Sequence, residues 1–430
     1  MSAMKQQQLS GVFIFLSFLF TLIAYFLDEN LFVFAGVFAW LALILLFRFI
    51  AKKGLLLLLV GATSAVLIFS FLQGLSIDFQ KALLVNQHLL TLLIGVGFLR
   101  LIATPKVDKI KTLPKGKRSF LKTYLGIHLF GSVINLSSLI LVADKLYKKA
   151  PLSNIQIVLL TRAFSSDAYW SPFFVAFAAA VTYAPNLDAS IILINGLVLA
   201  SIAFVVSYLE VSRSSALDIK EFRGYPIHFE TLYIPVILAL LVLVVNHYFP
   251  ETKVIVLISL FSLLLTIIIL PTKVGLNKAV TTFSHYITHE LPLMKNELAL
   301  FLIAGVFGVS ISSILIGFDV AVPFDDFDGQ SASLLLLVLI LLSFVGIHPI
   351  ISIAVIGNWM SEINHTLLAV AFLMSWATAV STSPFSGLNL TLQARYNLKA
   401  IDIFRLNIGY AVKMYLVCAA ILWALEYQIG

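Results

Sequence analysis

The sequence of 430 residues holds one cysteine, and charged residues make up only 11% of it. A lone cysteine, Cys418, excludes an intrachain disulfide and leaves the redox compartment unmarked. Soluble proteins carry about 25% charged residues, so a sizeable soluble domain is excluded. There is no G-x-x-x-x-G-K-[ST] loop and no room for a nucleotide-binding domain, which argues against ATP-driven work by this chain alone. No G-x-S-x-G elbow frames a hydrolase, and no His, Cys or carboxylate cluster has metal-ligand spacing. What the chain has in excess is apolar sequence, at 60% of residues. The apolar residues form continuous runs rather than alternating, which excludes an outer-membrane barrel and points to an all-α polytopic membrane protein.

The net charge of +7 needs no nucleic-acid partner, because most basic residues stand in short loops beside apolar runs, as the positive-inside rule requires. The N-terminal run to Leu27 is followed by the turn Asp28-Glu29-Asn30 and no small-residue cleavage site, so it reads as a retained span. Apolar runs fall at about 10–27, 31–50, 54–76, 83–104, 152–184, 188–209, 232–249, 254–270, 297–317, 367–395 and 402–426. Two more, about 119–143 and 331–361, have polar residues near their middles and read as re-entrant hairpins. Threaded from a cytoplasmic N-terminus, this plan puts Lys5, Arg48, Lys52, Lys53, the segment from Lys106 to Lys122, Lys145, Lys148 and Lys149 inside. Arg213, Lys220, Arg223, Lys273, Lys278, Arg395, Lys399 and Arg405 follow them, while the acidic loop from Phe318 to Asp328 and Glu362 fall outside. The expectation is about eleven transmembrane helices plus two re-entrant hairpins, with the C-terminus outside.

Three segments occur twice, in the same order and at similar spacing. Asn86-Gln-His-Leu-Leu-Thr-Leu-Leu-Ile-Gly95 matches Asn296-Glu-Leu-Ala-Leu-Phe-Leu-Ile-Ala-Gly305. Gly126-Ile-His128 matches Gly346-Ile-His348, and Trp170-Ser-Pro-Phe173 matches Thr382-Ser-Pro-Phe385. In the threading the two copies run in opposite directions, which is an inverted repeat of five spans and one hairpin. The division is then an extra N-terminal span at 1–30, a first repeat at 31–210, an inside linker at 211–231 and a second repeat at 232–430.

This plan, with a hairpin and a Ser/Thr-Pro broken helix in each half, resembles the ion transporter superfamily. That group includes divalent anion/sodium symporters, citrate carriers and arsenite pumps. The resemblance implies a secondary transporter and a homodimer. The hairpins here read Gly126-Ile-His-Leu-Phe-Gly-Ser-Val-Ile-Asn135 and Gly346-Ile-His-Pro-Ile-Ile-Ser352, without the Ser-Asn-Thr tips of the symporters. Dicarboxylate specificity and sodium coupling are therefore not carried over.

A helix broken inside a membrane frees backbone groups and persists mainly where it lines a cavity. Pro172 and Pro384 break their runs, so Ser165, Ser166, Ser171, Ser381, Thr382, Ser383, Ser386 and Asn389 are the candidate solute-binding residues. The bland reading of the same residues is helix packing around a proline kink. Arg162 and Asp167 are charges inside an apolar run. Arg162 is a candidate for an anionic substrate, and Asp167 for a proton or sodium ion; alternatively they pair with each other, or Arg162 snorkels to the interface. His128 and His348, at matching hairpin positions, and Asn135 and Asn358 are further candidates for coupling ions, or for satisfying hairpin backbone. The stretch Thr281–Pro292 reads as an interfacial helix touching lipid, and its His285/His289 pair is a weak metal signal.

The expected function is secondary active transport of a small anionic solute, carboxylate or oxyanion, by alternating access, driven by sodium or protons. No other cofactor and no nucleic acid are expected. A cation/proton antiporter or an oxyanion exporter is the nearest alternative. A membrane enzyme acting on lipid-linked sugars is the rival class, though the clearest outside loop is short and acidic where such enzymes carry large basic ones. A non-transporting receptor on the same fold is a third. Short loops point to a bacterial inner membrane.

Overall fold

In a bilayer an unpartnered backbone N–H or C=O is costly, so a chain this apolar must close its hydrogen bonds within each segment. In the computed structural model the described residues do this as helices, with one isolated backbone bridge between Lys115 and Arg223. The structure describes residues 2–50, 53–103, 113–214, 217–225, 233–324 and 326–429. Lys52, the basic stretch at 104–112, Asp325 and part of the linker at 211–231, which enter the charge-based threading, lie outside these residues.

The chain begins with α1 (Ala3–Phe26), α2 (Phe32–Leu46), α3 (Lys53–Leu72), α4 (Phe79–Leu84) and α5 (Gln87–Ala103). There follow α6 (Lys117–Ile134), α7 (Leu136–Tyr147), α8 (Asn154–Ser165), α9 (Val175–Tyr183) and α10 (Ala189–Arg213). After the linker come α11 (Tyr233–Tyr248), α12 (Val254–Val274), α13 (Leu276–His285), α14 (Lys295–Gly317) and α15 (Gly329–Phe344). The last are α16 (Pro349–Trp359), α17 (His365–Thr382), α18 (Gly387–Tyr396) and α19 (Ala400–Ile429). Each apolar run of the sequence is occupied by a helix or a broken pair. Among the described residues eight segments are long and apolar enough to cross a membrane, and four apolar helices are shorter. This is an all-α polytopic membrane protein. Asp78, Asp188, Asp328, Asn364 and Ser386 each accept a backbone N–H from the first turn of the helix they precede, which sets where those helices start.

The helices gather into two compact units, each drawing on both halves of the sequence. The first takes Met1–Ala103, Ile234–Val322 and Ile353–Met360. Its core includes α1, the span left outside the duplicated plan: Ile14 and Phe18 are fully buried, and Phe18 meets Phe98 of α5, which stacks on Phe283 of α13. Asn86, just before α5, donates from Nδ2 to Phe301 O of α14 at 2.7 Å. Gly305 leaves room for that amide, since a Cβ there would lie 2.9 Å from Asn86 Nδ2. The Asn–Gly segments that match in sequence therefore touch in space. The helix expected at Thr281–Pro292 is α13 running into a π-turn at Tyr286–Glu290, split from α12 by Gly275 at φ 82°.

The second unit takes Thr104–Tyr233, Pro323–Ser352 and Ser361–Gly430. Its centre is α17, every residue of which is buried, packed among α8, α9, α15 and α19. Lipid tails give helices no hydrophobic reason to associate, so close backbone approach between small residues does that work. Accordingly α17 supplies Ala369, Ala371, Ser375, Ala377 and Ala379, and α9 supplies Ala176, Ala178, Ala179 and Ala180. Outward faces of α10 and α19 show Ile194, Val205, Val412 and Leu416. The segment read as the first hairpin is α6 and α7, packed on each other and joined at Asn135 with φ 52°. The second differs: α15 lies in this unit, but α16 from Ile353 onward belongs to the first, where Ser312 of α14 donates to Val355 O at 3.1 Å.

Candidate functional site

Both proline breaks lie in the second unit, and they are built alike. After α8 the chain makes a 3₁₀ turn, Ser166–Tyr169, and α9 starts only at Val175. Pro172 has no N–H to give, so the preceding serine takes over local closure. Ser171 N donates to Asp167 O at 2.9 Å, Phe173 N to Ser171 Oγ at 3.2 Å, and Phe174 N to Ser171 O at 3.1 Å. At the second break Ser383 N donates to Ala379 O at 2.9 Å, Phe385 N to Ser383 Oγ at 3.2 Å, and Ser386 N to Ser383 O at 3.1 Å.

Each of these serines also reaches a neighbouring arm. Ser171 Oγ donates to Ser132 O of α6, and Ser383 Oγ donates to Ser343 O of α15 at 2.6 Å. Ser132 and Ser343 in turn bond their own helices, to Leu129 O and Ile340 O. This geometry corrects one sequence match. It pairs Ser132 with Ser343, and so the bend at Asn135 with that at Gly346 (φ 103°). His128 then lies inside α6 while His348 lies in the bend itself, so the two histidines are not equivalent. A shared Gly-Ile-His triplet set the wrong register.

The first break holds the buried charge. His128 Nδ1 lies 2.7 Å from Asp167 Oδ1 and 2.9 Å from Ser166 Oγ. Trp170 Nε1 donates to His128 Nε2 at 3.2 Å. An indole N–H can only donate, so Nε2 is an acceptor and the proton of a neutral imidazole sits on Nδ1, facing Asp167. Asp167 is fully buried, and its Oδ2 has no hydrogen-bond partner. An added proton therefore has one open position, Oδ2, unless the Trp170 bond breaks. Gly131 of α6 lies against that oxygen, and any Cβ there would overlap it. Asn135 Nδ2 donates to Phe173 O at 3.4 Å, closing the bend over the break.

Arg162 is fully buried, and the groups that hold it do not include Asp167. Its Nε donates to Asn407 Oδ1 at 2.9 Å, and its Nη2 to Glu210 Oε1 at 3.0 Å and to Leu406 O at 2.9 Å. The guanidinium stacks over Tyr410, 4.4 Å from the ring centre, and Glu210 is completed by Lys413 at 3.0 Å. Both sequence readings, a pair with Asp167 and snorkelling, give way to this lock between α8, α10 and α19. Only Nη1 is left for a solute.

The second break is open. A small, partly open cleft of about 20 Å³ is lined by Ser343, Gly346, His348, Trp376, Ser383, Ser386 and Gly387 among others. His348 Nδ1 accepts Ile350 N at 3.3 Å, and its ring stands edge-on to Trp376. Behind the cleft the polar residues mostly serve the backbone. Asn389 Nδ2 donates to Ser381 O and Ser383 O, Ser381 Oγ to Thr378 O, and Ser386 Oγ to Val380 O. Thr382 Oγ1 bonds Ser381 Oγ, and Ser165 Oγ bonds Arg162 O. Asn389 Oδ1 is buried and unpartnered. The structure therefore gathers the candidates at two places, Ser165, Ser166, Ser171, Asp167, His128 and Asn135 at the first break, Ser381 to Ser386, Asn389 and His348 at the second. Asn358 joins neither; it lies in the first unit and bonds Ala354 O of its own helix. Sequence reading missed Glu210, Asn407, Trp376 and Gly131. Of these only Glu210, a carboxylate closing the run at 188–209, carried a signal.

Among the described residues no three His, Cys, Asp or Glu side chains gather where a metal could sit. His285 and His289 stack on each other, with Gln8 and Glu290 beside them. No family model and no curated protein matches the chain. Among solved structures it is similar to the YdaH transporter of Alcanivorax borkumensis, which has an unusual topology. The likeness covers 89% of this chain and 90% of that one, with 11% identity and a TM-score of 0.46. That is too distant to bear on function.

Proposed function

We propose that the chain is a secondary active transporter that moves a small anionic solute by alternating access, with protons as the driving ion. One observation carries this reading: the same hairpin-arm and proline-break hydrogen bonds occur twice in one unit, with a buried carboxylate at one copy and an open cleft at the other. A helix break is costly in lipid, and two of them built alike favour a shared cavity over a chance kink. The inverted repeat gains support from Arg162, which holds both the end of α10 (Glu210) and the start of α19 (Asn407). Two long helices that cross the membrane and meet end to start run in opposite directions. In the cleft, α16 and α18 begin at Pro349 and Gly387, and helix starts favour anions. Eleven spans, two re-entrant hairpins, an inside N-terminus and an outside C-terminus complete the reading, in a bacterial inner membrane and as a homodimer. Asp167, with one open oxygen, suits a proton better than sodium, which needs several oxygen ligands.

The test is a thermal-shift screen of purified protein against carboxylates and oxyanions, with sodium, potassium and pH varied. A ligand at 100 times its Kd stabilises by about 2.7 kcal/mol. One anion class should stabilise the wild type more as the medium is acidified, without need of sodium, and Asp167→Asn should remove that pH dependence. A sodium-dependent shift would replace the proton, a response to cations alone would favour an antiporter, and lipid-linked sugar as the sole ligand would favour the enzyme.

A further inference from the structure

A proton from solvent can reach Asp167 only through its polar neighbours, because both carboxylate oxygens are buried. Those neighbours are Ser166 and His128. Ser166 is fully buried, and its hydroxyl donates to Ala163 O at 2.9 Å, whereas the His128 side chain is 13% exposed. Toward His128 Nδ1 both Ser166 Oγ, at 2.9 Å, and Asp167 Oδ1, at 2.7 Å, are acceptors, so Nδ1 holds the imidazole proton. The ring atom left to receive a proton is Nε2, and the half-buried Trp170 covers it with its indole N–H at 3.2 Å. Behind Trp170, Gly196 of α10 comes so close that a Cβ there would lie 2.8 Å from Trp170 Cα. The ring, not the backbone, is therefore the part free to turn.

This bond is one of two that tie the first break to α6. His128 and Ser132 stand one turn apart on α6, and the adjacent Trp170 and Ser171 bond to them in turn. At the second break the Ser383–Ser343 bond has no companion of this kind. In the register it sets, His128 corresponds to Leu339 and Trp170 to Thr382, whose hydroxyl bonds Ser381 instead. The histidine and the indole are thus an addition to a clasp that both breaks share. Nearby ionisable groups are engaged elsewhere. Tyr124, one turn before His128, donates to Arg162 O, and Arg162 is held by α10 and α19. Tyr169 adjoins on the turn, α9 carries Tyr183, and α17 carries His365, bonded to Asn186 N and Ser361 O. Asp144 and Lys145 lie in the last turn of α7, with Asp144 paired to Arg395.

We propose that Trp170 is a latch on the proton entrance: the driving proton enters the pair at His128 Nε2, and the Trp170–His128 bond opens to admit it. The latch rests on the proton-coupled reading above. Hydronium gives its proton to Nε2 and leaves as water, while the Nδ1–H bond breaks and its proton forms an O–H bond at Asp167 Oδ1. Asp167 ends neutral, and His128 ends neutral in its other tautomer, with Nε2 now a donor. The indole N–H then has no acceptor there, so a loaded pair and a closed latch exclude each other. Ser171 keeps its bond to Ser132, and loading removes one of the two ties between the break and α6.

Difference infrared spectroscopy of the full chain in lipid nanodiscs tests this. It reads the carboxylic C=O band that Asp167→Asn abolishes and the indole N–H stretch that Trp170→Phe abolishes. As the wild type is acidified, that stretch should move to the frequency of an N–H without an acceptor, with the same midpoint pH as the carboxylic band. Asp167→Asn, which keeps the side chain's shape, should show no change of the stretch at that midpoint. These two samples decide the matter even if Trp170→Phe fails to fold. Where it folds, its carboxylic band after a rapid pH drop should rise about fivefold faster than in the wild type, because no hydrogen bond of ordinary strength has first to open. A carboxylic band that rises while no indole stretch changes overturns the latch and leaves proton coupling standing, since the proton then sits on Oδ2. An unchanged rate in folded Trp170→Phe also overturns it. No Asp167 band at any pH overturns the proton reading together with the latch.

Discussion

At the scale of single residues, the account turns on Asp167 and its tight surroundings. Gly131 is fixed by them: Gly131→Ala would press a methyl onto Asp167 Oδ2. Overpacking of this kind costs about 1–3 kcal/mol, and a cycle with Asp167→Ala should recover most of it, because the smaller side chain removes the overlap. Thermal unfolding of the two single variants and the double reads this, and simple additivity would contradict it. Ser171→Ala and Ser383→Ala should each lower stability by a similar amount, about 1 kcal/mol, because each removes the same pair of bonds. Much of this was legible beforehand. A carboxylate inside an apolar run and two Ser-Pro pairs stand out, because polar groups in lipid need a reason. Partners were not legible: Arg162 finds Glu210 and Asn407 on other helices, and no local spacing announces that. His128 and His348 were mispaired because three-residue matches recur by chance in a chain this apolar.

At the scale of helices, sequence and structure agree most closely, since every apolar run is helical and the breaks fall at the prolines. The reason is physical: in hydrocarbon the backbone has few alternatives to a helix. Helix starts follow from local chemistry too. Asp328 caps α15 by accepting Ser331 N at 2.7 Å, and the Ser331 backbone and hydroxyl hold its carboxyl below the usual carboxylate range. A lowered carboxyl contributes stability above its ordinary pKa of about 3.9, and loses it as pH falls through the lower folded value. Asp328→Ala should therefore melt below the wild type at pH 7, and the gap should close only in strong acid. An equal gap at all pH values would remove the charged cap. What the runs did not foretell is that the arms of the segment at 331–361 separate, α15 to one compact unit and most of α16 to the other. Both arms are apolar, and apolarity does not choose a neighbour.

At the scale of the whole molecule, sequence order and spatial grouping diverge. The chain reads as two halves in series, but each compact unit takes helices from both, and α1 sits in the core of one. Periodicity says which face of a helix is apolar, not which distant helix will cover it. The central claim, that the second break lies in a cavity opening alternately to the two sides, has a direct test at Gly387. This residue lines the cleft, and a Cβ there would meet nothing within 4 Å, so Gly387→Cys adds a thiol without disturbing its surroundings. The one native cysteine, Cys418, is buried. A membrane-impermeant thiol reagent would be applied to right-side-out and to inside-out vesicles holding this variant. Alternating access predicts labelling from both faces, with the balance between them moved by the pH on either side. Labelling from one face only, unchanged by pH, would contradict it.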